Sequence, residues 1–320
     1  MRIVVLDGYT LNPGDNPWDE LAALGELEVF DRSTPEEVVA RARRAEIVVT
    51  NKAPISADTI AALPDLRFVA VTATGYNVVD VDVAAARGIL VSNVPAYGTD
   101  SVAQFTIALL LELASRVGEH DRAVHAGAWA AAPDFCFWRT SPVELVGKTL
   151  GLVGFGAIGR RVGALASAFG MSVLASSRPG GEREPPGYEP FSWSDVDELF
   201  ARSDVVSLHC PLTAENEGLV DAVRLARMKS TAFLINTARG PLVDEVALGD
   251  ALERGVIAGA AVDVVSREPI APDNPLLHAP RCIVTPHIAW ATLAARRRLM
   301  DRTVENVRAF LEGRPVHLVR

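Results

Sequence analysis

Cysteine is scarce in this 320-residue chain, with three residues, Cys136, Cys210 and Cys282, scattered and odd in number. A secreted disulfide framework is therefore not expected, and no Cys-x-x-Cys or Cys/His spacing suggests zinc or another metal. The three thiols read as small apolar fillers in a reduced compartment, with the cytoplasm as the expected address. Basic charge is in deficit, with 31 Lys and Arg against 40 Asp and Glu and a net charge of −9. Nucleic acid and anionic membrane surfaces are accordingly poor partners. No apolar run approaches the roughly 20 residues of a spanning helix. The opening, Met1 to Gly8, reads as a strand entering a fold, without the long apolar stretch and small-residue cleavage site of a signal peptide. No internal repeat stands out.

What the chain has is an ordinary globular share of apolar residues, 49%, and length for about two domains. Short β-branched runs alternate with helical patterns. Ile3–Leu6, Ile47–Thr50 and Phe68–Thr72 read as strands, and Pro35–Arg44 and Ala57–Leu63 as helices. Ser33 or Thr34 ahead of Pro35 and Glu36 marks a helix start. Such alternation implies a parallel sheet covered on both faces. Asp100–Arg116 reads as a long helix, apolar around most of its circumference and so buried between layers or subunits. An irregular stretch, Ala126–Pro142, follows it. Six further strands, Thr149–Val153, Ser172–Ser176, Val205–His209, Ala232–Asn236, Gly259–Val262 and Cys282–Thr285, suit a second, doubly wound sheet. Pro179–Pro190 and Glu268–Pro280 read as surface loops, and Thr292–Leu311 as a final helix that packs back on the first domain.

After the strand Thr149–Val153 comes Gly154-Phe155-Gly156-Ala157-Ile158-Gly159, a Gly-x-Gly-x-x-Gly turn between strand and helix. Gly154 permits the tight turn, Gly156 lets the backbone approach a pyrophosphate, and Gly159 lets helix and strand pack closely. The pyrophosphate then meets the unpaired N–H groups and positive dipole end of the helix, at Ala157 and Ile158. The motif points to a dinucleotide, NAD or NADP. An acid at the end of the next strand would bind the 2′-hydroxyl of NAD, but Ser177, 18 positions beyond Gly159, stands there with Arg178 after it. Those two residues would attract a 2′-phosphate, so NADPH is expected to be favoured over NADH; otherwise Arg178 is a solvated loop residue.

Three chemistry-bearing residues follow strand ends, where ligands bind in open α/β sheets. Arg239 lies in Asn236-Thr237-Ala238-Arg239-Gly240, Glu268 precedes Pro269, and His287 follows Pro286. Oxidising an alcohol requires a base for the hydroxyl proton as hydride leaves, and a His supported by a carboxylate fits that task near neutral pH. Arg offers a forked donor pair to a carboxylate or a polarised carbonyl.

With these residues in place, the chain resembles the D-isomer-specific 2-hydroxyacid dehydrogenases over nearly its whole length. The matching blocks are Val71–Asp80, the turn Gly154–Gly159, Asn236–Gly240, Asp263 with Glu268-Pro269, and Pro286-His287. Asn93–Tyr97, Ser101–Gln104 and His287–Thr292 look most like the glycerate dehydrogenase, hydroxypyruvate and glyoxylate reductase branch. The resemblance implies two α/β domains, each a doubly wound parallel sheet, with the nucleotide-binding one Rossmann-like and the active site in the cleft between them. Residues 1–99 with 292–320 would form a discontinuous substrate-binding domain, and 100–291 the dinucleotide-binding domain. Arg239 would hold the substrate carboxylate and carbonyl, His287 would be the acid/base, and Glu268 would orient it and favour its protonated form. Backbone N–H groups near Thr74, Gly75 and Tyr76 would bind the substrate carboxylate. Asp263 would contact the nicotinamide side of the cofactor, Thr237 and Ala238 would line the same site, and Cys210 and Pro211 would cover the adenosine.

The chain departs from the family pattern at Ser177, at Asn216, where Thr is common, and at Trp290, where many members carry a small residue after the His. Trp290 either narrows the substrate pocket toward small acids or is a core aromatic. The expected activity is NAD(P)H-dependent reduction of a small 2-keto acid, glyoxylate or hydroxypyruvate, to the D-2-hydroxy acid. Alternatives are a lactate-like or phosphoglycerate-like dehydrogenase and, in another class, a nucleotide-sensing corepressor. The phosphoglycerate enzymes often carry a C-terminal regulatory domain, for which this chain leaves no room. The expected assembly is a homodimer, with Trp129–Trp138 as an embracing arm and Trp138 the nearest match to a branch Trp that reaches the neighbour's active site.

Overall fold

The computed structural model describes residues 1–177 and 184–319, so Arg178 lies outside the described residues. The chain divides into two compact units, Met1–Gly98 with Ala291–Arg320, and Thr99–Trp290.

Unit 1 runs β1 (Arg2–Val5), α1 (Asp19–Ala22), β2 (Glu26–Val29), α2 (Pro35–Arg41), β3 (Ile47–Thr50), α3 (Ala57–Ala62), β4 (Phe68–Val71), α4 (Val81–Ala86) and β5 (Leu90–Ser92). Its five strands pair in parallel in the order β2-β1-β3-β4-β5. Strands β3 and β4 are buried at every position, as a parallel sheet covered on both faces requires. The start of α2 is a capping box in which the Thr34 hydroxyl and the Glu37 carboxylate each accept a backbone N–H from the other's position. Strand β2, Glu-Leu-Glu-Val, escapes an apolar-run criterion because it is a half-exposed edge strand pairing with β1 alone, where charges are tolerated. The C-terminal segment returns to this unit. Its helix, Leu293–Leu311, stacks Phe310 on Phe68 with ring centroids 4.5 Å apart, and Leu318 bridges Ser92. The buried Arg296 donates to Asp15 at 2.8 Å, while its carbonyl accepts from Asn16 Nδ2 at 3.1 Å.

Unit 2 opens with α5 (Thr99–Ser115), which stops where Arg116 turns left-handed at φ 48°, and continues as α6 (Val117–His125). The second helix is not evident in the sequence, whose apolar pattern ends at Arg116. Residues 126–146 are irregular. Then come β6 (Thr149–Val153), α7 (Ala157–Ala168), β7 (Ser172–Ser176), β8 (Phe191–Trp193), α8 (Val196–Arg202), β9 (Val205–Leu208), α9 (Ala222–Arg227), β10 (Phe233–Asn236), α10 (Glu245–Glu253), β11 (Gly259–Val262) and β12 (Cys282–Val284). The remaining helix of unit 1, Leu293–Leu311, is therefore α11. The second sheet has seven parallel strands, not the six expected, in the order β12-β11-β10-β9-β6-β7-β8. The extra strand, β8, is a three-residue edge beside β7, too short to carry a pattern of its own. Alternate side chains feed two cores. Val206, Leu208, Leu234 and Val262 join one, and Val205, Phe233, Ile235 and Ala261 join the other. Among the described residues no single helix is long and apolar enough to cross a membrane. Helices α5 and α6 meet at a 57° bend, and α5 contributes to the second of these cores.

Candidate active site

In unit 2 the glycine-rich turn is built as its spacing requires. Gly154 has φ +96°, and a Cβ there would stand 2.7 Å from Cys210 N and 2.8 Å from the His209 carbonyl. A Cβ on Gly159 would stand 2.3 Å from Gly154 O, so both positions exclude side chains. Gly156 is different, since its Cβ direction meets nothing within 4 Å. It is the N-cap of α7 and supplies no capping side chain, and Gly156 and Ala157 are exposed, with Ile158 half-buried. An open approach to uncapped helix N–H groups fits a pyrophosphate. Half-buried Ser177 follows β7 directly.

Cys210 and Pro211 begin the loop after β9. The Asn216 carboxamide shapes that loop, donating to Pro211 O at 2.8 Å and accepting from Thr213 N at 2.7 Å. This gives the departure at Asn216 a physical role. Burial raises the Cys210 thiol above its ordinary pKa, which leaves it a neutral wall rather than a nucleophile. His209, whose ring lies 2.9 Å from Ser207 Oγ, has its imidazole pushed down to about 3 by burial, although the residue keeps some surface.

The loop after β10 is held from within. The fully buried Asn236 carboxamide accepts from Ala238 N at 3.0 Å and donates to Arg239 O at 2.8 Å. Gly240 follows, and a Cβ there would stand 1.9 Å from Val265 C, so only glycine lets the loops after β10 and β11 touch. Arg239 projects exposed from this support.

His287 sits after β12 in the left-handed region, φ 55°, which for a non-glycine residue marks local strain. Asp263 holds it there. The Asp263 carbonyl accepts from His287 N at 2.8 Å. Its carboxylate, 1% exposed, accepts from Thr285 Oγ1 at 2.7 Å, Ile288 N at 2.9 Å and Ala289 N at 2.8 Å. Asp263, expected from the family resemblance to contact the cofactor, clamps the histidine loop in the structure, and Thr285 belongs to that clamp. The His287 Nδ1 lies 2.7 Å from Glu268 Oε2, and Glu268 Oε1 accepts from Val265 N at 3.3 Å. An ionised carboxylate only accepts, so Nδ1 carries a proton and Nε2 is the ring nitrogen left to exchange one. Trp290 is half-buried, three positions on.

In unit 1, Thr74 is pinned by its hydroxyl to Val94 O at 3.0 Å and by its carbonyl to Asn93 Nδ2 at 2.7 Å. Tyr76 is exposed and Gly75 half-buried. The neighbouring loop after β3 is fixed by Asp7, whose carboxylate accepts from Asn51, Lys52 and Ala53 N. Among the described residues no group of three His, Cys, Asp or Glu side chains is placed to hold a metal ion.

The chain is similar to known proteins. The family model described as D-isomer specific 2-hydroxyacid dehydrogenase, NAD binding domain, matches residues 107–289. The chain is 50% identical over 325 residues to a hydroxypyruvate reductase of Blautia hydrogenotrophica, covering 100% of this chain and 99% of that one. It is 41% identical over 291 residues to a glycerate dehydrogenase of Methylorubrum extorquens, covering 89% of each. A crystal structure of an NADPH-dependent glyoxylate/hydroxypyruvate reductase from Sinorhizobium meliloti, in complex with NADP and malonate, superposes with a TM-score of 0.84 at 32% identity, covering 99% of this chain and 96% of that one. With its parallel sheets, its glycine turn and these relatives, the chain belongs to the D-isomer-specific 2-hydroxyacid dehydrogenase family, an oxidoreductase family that uses NAD(P).

Proposed function

We propose that the protein reduces a small 2-keto acid, hydroxypyruvate or glyoxylate, to the D-2-hydroxy acid, reversibly. The observation that carries this reading is the His287–Glu268 pair at 2.7 Å, on the same unit as a glycine turn open to a dinucleotide. The relatives' names support the substrate class. A bound nicotinamide cofactor would supply or accept the hydride, with Gly154, Gly156, Ala157, Ile158 and Gly159 holding its pyrophosphate side. Ser177 and Arg178 would face its adenosine ribose, Cys210 and Pro211 its adenosine, and Thr237, Ala238 and Asp263 its nicotinamide side.

The chain's own residues do the rest. His287 Nε2 gives a proton to the carbonyl oxygen in reduction and takes it back in oxidation, while Glu268 keeps Nδ1 protonated and the ring in one orientation. Arg239 directs its fork at the substrate carboxylate and carbonyl. Backbone N–H groups at Thr74, Gly75 and Tyr76 would bind the substrate carboxylate, as the family resemblance implies. Trp290 limits the size of the substrate side chain. NADPH is the preferred cofactor, on the Ser177-Arg178 sequence.

The working form in this reading is a cytoplasmic homodimer. Free thiols at all three cysteines support the compartment. An exposed apolar run supports the dimer, with Phe135 90% and Trp138 62% exposed and Val117, Trp129 and Val146 beside them in sequence. Its test is the mass in solution, and a monomer at micromolar concentration would contradict it. The test of the activity is a kinetic matrix of glyoxylate, hydroxypyruvate, pyruvate and phenylpyruvate with NADH and NADPH. Glyoxylate or hydroxypyruvate should give the highest kcat/KM, and turnover of none of the four would overturn the assignment.

A further inference from the structure

Thr106 lies in the middle of α5, 1% exposed, 131 residues from Thr237 in sequence, yet the two hydroxyls are 3.1 Å apart. Either oxygen can donate in that contact, but the rest of the geometry decides which does. Thr106 Oγ1 is also 2.8 Å from Val102 O, one helical turn back. A carbonyl has no proton to give, so the single hydroxyl proton of Thr106 goes to Val102. The oxygen of Thr106 is then an acceptor toward Thr237, and the proton in the 3.1 Å contact belongs to Thr237. That commits the only proton of the Thr237 hydroxyl to the protein interior. Thr237 itself is half-buried, and the lone pairs of its oxygen remain for whatever approaches the loop.

The position of Thr237 in the sheet says what approaches. The glycine turn follows β6, and Ser177 follows β7, on one side of β6 in the strand order. Strands β9 and β10 lie on the other side. A dinucleotide with its pyrophosphate at the glycine turn and its adenosine toward β7 has its nicotinamide half toward β9 and β10. Thr237 is the first residue after β10.

We propose that Thr106 is a positioning residue that fixes Thr237 as a hydrogen-bond acceptor, so that the Thr237 hydroxyl receives a donor from the nicotinamide half of the cofactor. The inference rests on the dinucleotide reading of unit 2. Two groups on that half can donate, the carboxamide NH₂ and the ribose hydroxyls. Without Thr106 Oγ1 the Thr237 hydroxyl is free to turn its own proton outward, donor against donor.

The test is calorimetric binding of NAD⁺ and of 3-acetylpyridine adenine dinucleotide, whose methyl ketone replaces the carboxamide, to the full-length wild type and to Thr106→Val, Thr106→Ser, Thr237→Val and the Val/Val double variant. Thr106→Val should weaken NAD⁺ about 3- to 10-fold, the worth of one neutral hydrogen bond. Thr106→Ser should restore wild-type affinity, and the second Val should add nothing to Thr237→Val. If the carboxamide is the donor, the acetylpyridine analogue loses nothing on substitution; if a ribose hydroxyl is, both ligands weaken alike. Unchanged NAD⁺ affinity in a Thr106→Val protein of wild-type Tm overturns the proposal. So do additive losses in the double variant, and if Thr106→Val fails to fold, the Thr106→Ser and Thr237→Val pair decides alone, with unchanged affinity in Thr237→Val overturning it. No binding of NAD⁺ or NADPH by the wild type would instead overturn the dinucleotide reading, and this inference with it.

Discussion

The imidazole Nδ1 of His287 lies 2.7 Å from Glu268 Oε2, and the backbone that presents the ring is held in the left-handed region by Asp263. One carboxylate therefore sets the tautomer, and another acid sets the place. Removing the ring by His287→Ala should lower kcat by about 10²–10⁴-fold while cofactor affinity holds, since a positioned acid/base contributes that much. Glu268→Gln keeps a hydrogen-bonding group but loses the charge, so its loss should be smaller and fall on kcat. Arg239→Ala should raise KM as well as lower kcat, because the guanidinium is expected to bind the substrate ground state too. Wild-type kcat in His287→Ala, read from steady-state cofactor oxidation, would contradict the role.

Asp263→Ala removes the acceptor for one hydroxyl and two backbone N–H groups at once. Of these donors Ala289 N is buried, and a buried donor left without a partner costs about 1–3 kcal/mol, so Tm should fall measurably. The strained His287 loop should relax as well, and a displacement of about 1 Å at a reacting group costs on the order of 10²-fold in rate. The decisive comparison is Tm against kcat. Loss of cofactor affinity alone, with both unchanged, would show that the clamp is not what Asp263 contributes.

Gly240→Ala tests the contact between the loops after β10 and β11. The new methyl would stand 1.9 Å from Val265 C, a backbone atom that no rotamer change can move. Overpacking of this kind costs about 1–3 kcal/mol, and here it also separates Arg239 from the Glu268 loop. Tm and kcat/KM should both drop, and a fully active, equally stable Gly240→Ala protein would show that the loops yield freely.

Much of this was legible in the sequence because the physics was local. Gly154, Gly156 and Gly159 are spaced by the demands of one turn, and the excluded Cβ positions at Gly154 and Gly159 meet atoms of that turn and its neighbour. Strands such as Ile47–Thr50 and Thr149–Val153 declared themselves by short, mostly apolar runs, as strands buried on both faces do. What stayed hidden is non-local or marginal. The Thr106–Thr237 contact joins a helix to a loop 131 residues away. The Asp263 clamp depends on how the chain after β12 folds back. Strands β2 and β8 lie at sheet edges, where burial no longer writes a pattern.

His209 predicts an acid sensitivity of folding. Burial pushes its imidazole from an ordinary 6.5 down to about 3. Between those values the unfolded chain binds a proton that the folded chain refuses. The unfolded state is thus favoured as pH falls, and stability contributed by the neutral ring is full above 6.5 and is lost from there toward 3. The slope approaches about 1.4 kcal/mol per pH unit at most, less for a residue that keeps some surface. His209→Asn should flatten the dependence of Tm on pH between 6.5 and 4.5. An equally steep dependence in the variant would assign it to other groups.

In the proposed reading, cofactor preference turns on Ser177 and Arg178. Ser177 immediately follows β7 and carries no charge, so nothing at that position repels a 2′-phosphate. An acid there would accept the 2′-hydroxyl of NADH and repel the phosphate of NADPH. The guanidinium of Arg178 supplies a fork that suits a phosphate and gains little from a hydroxyl. A charge-assisted hydrogen bond is worth about 1.5–3 kcal/mol, or roughly 10–150-fold in affinity. The wild type should therefore prefer NADPH in kcat/KM by about tenfold, measured with glyoxylate or hydroxypyruvate. Ser177→Asp combined with Arg178→Ala should reverse the preference, the first by restoring the hydroxyl acceptor and the second by removing the phosphate partner. Ser177→Asp alone should lower NADPH use more than it raises NADH use, because repulsion of a dianion is the larger effect. A wild-type preference for NADH would mean that Arg178 contributes nothing to recognition, and that a neutral serine suffices for the ribose.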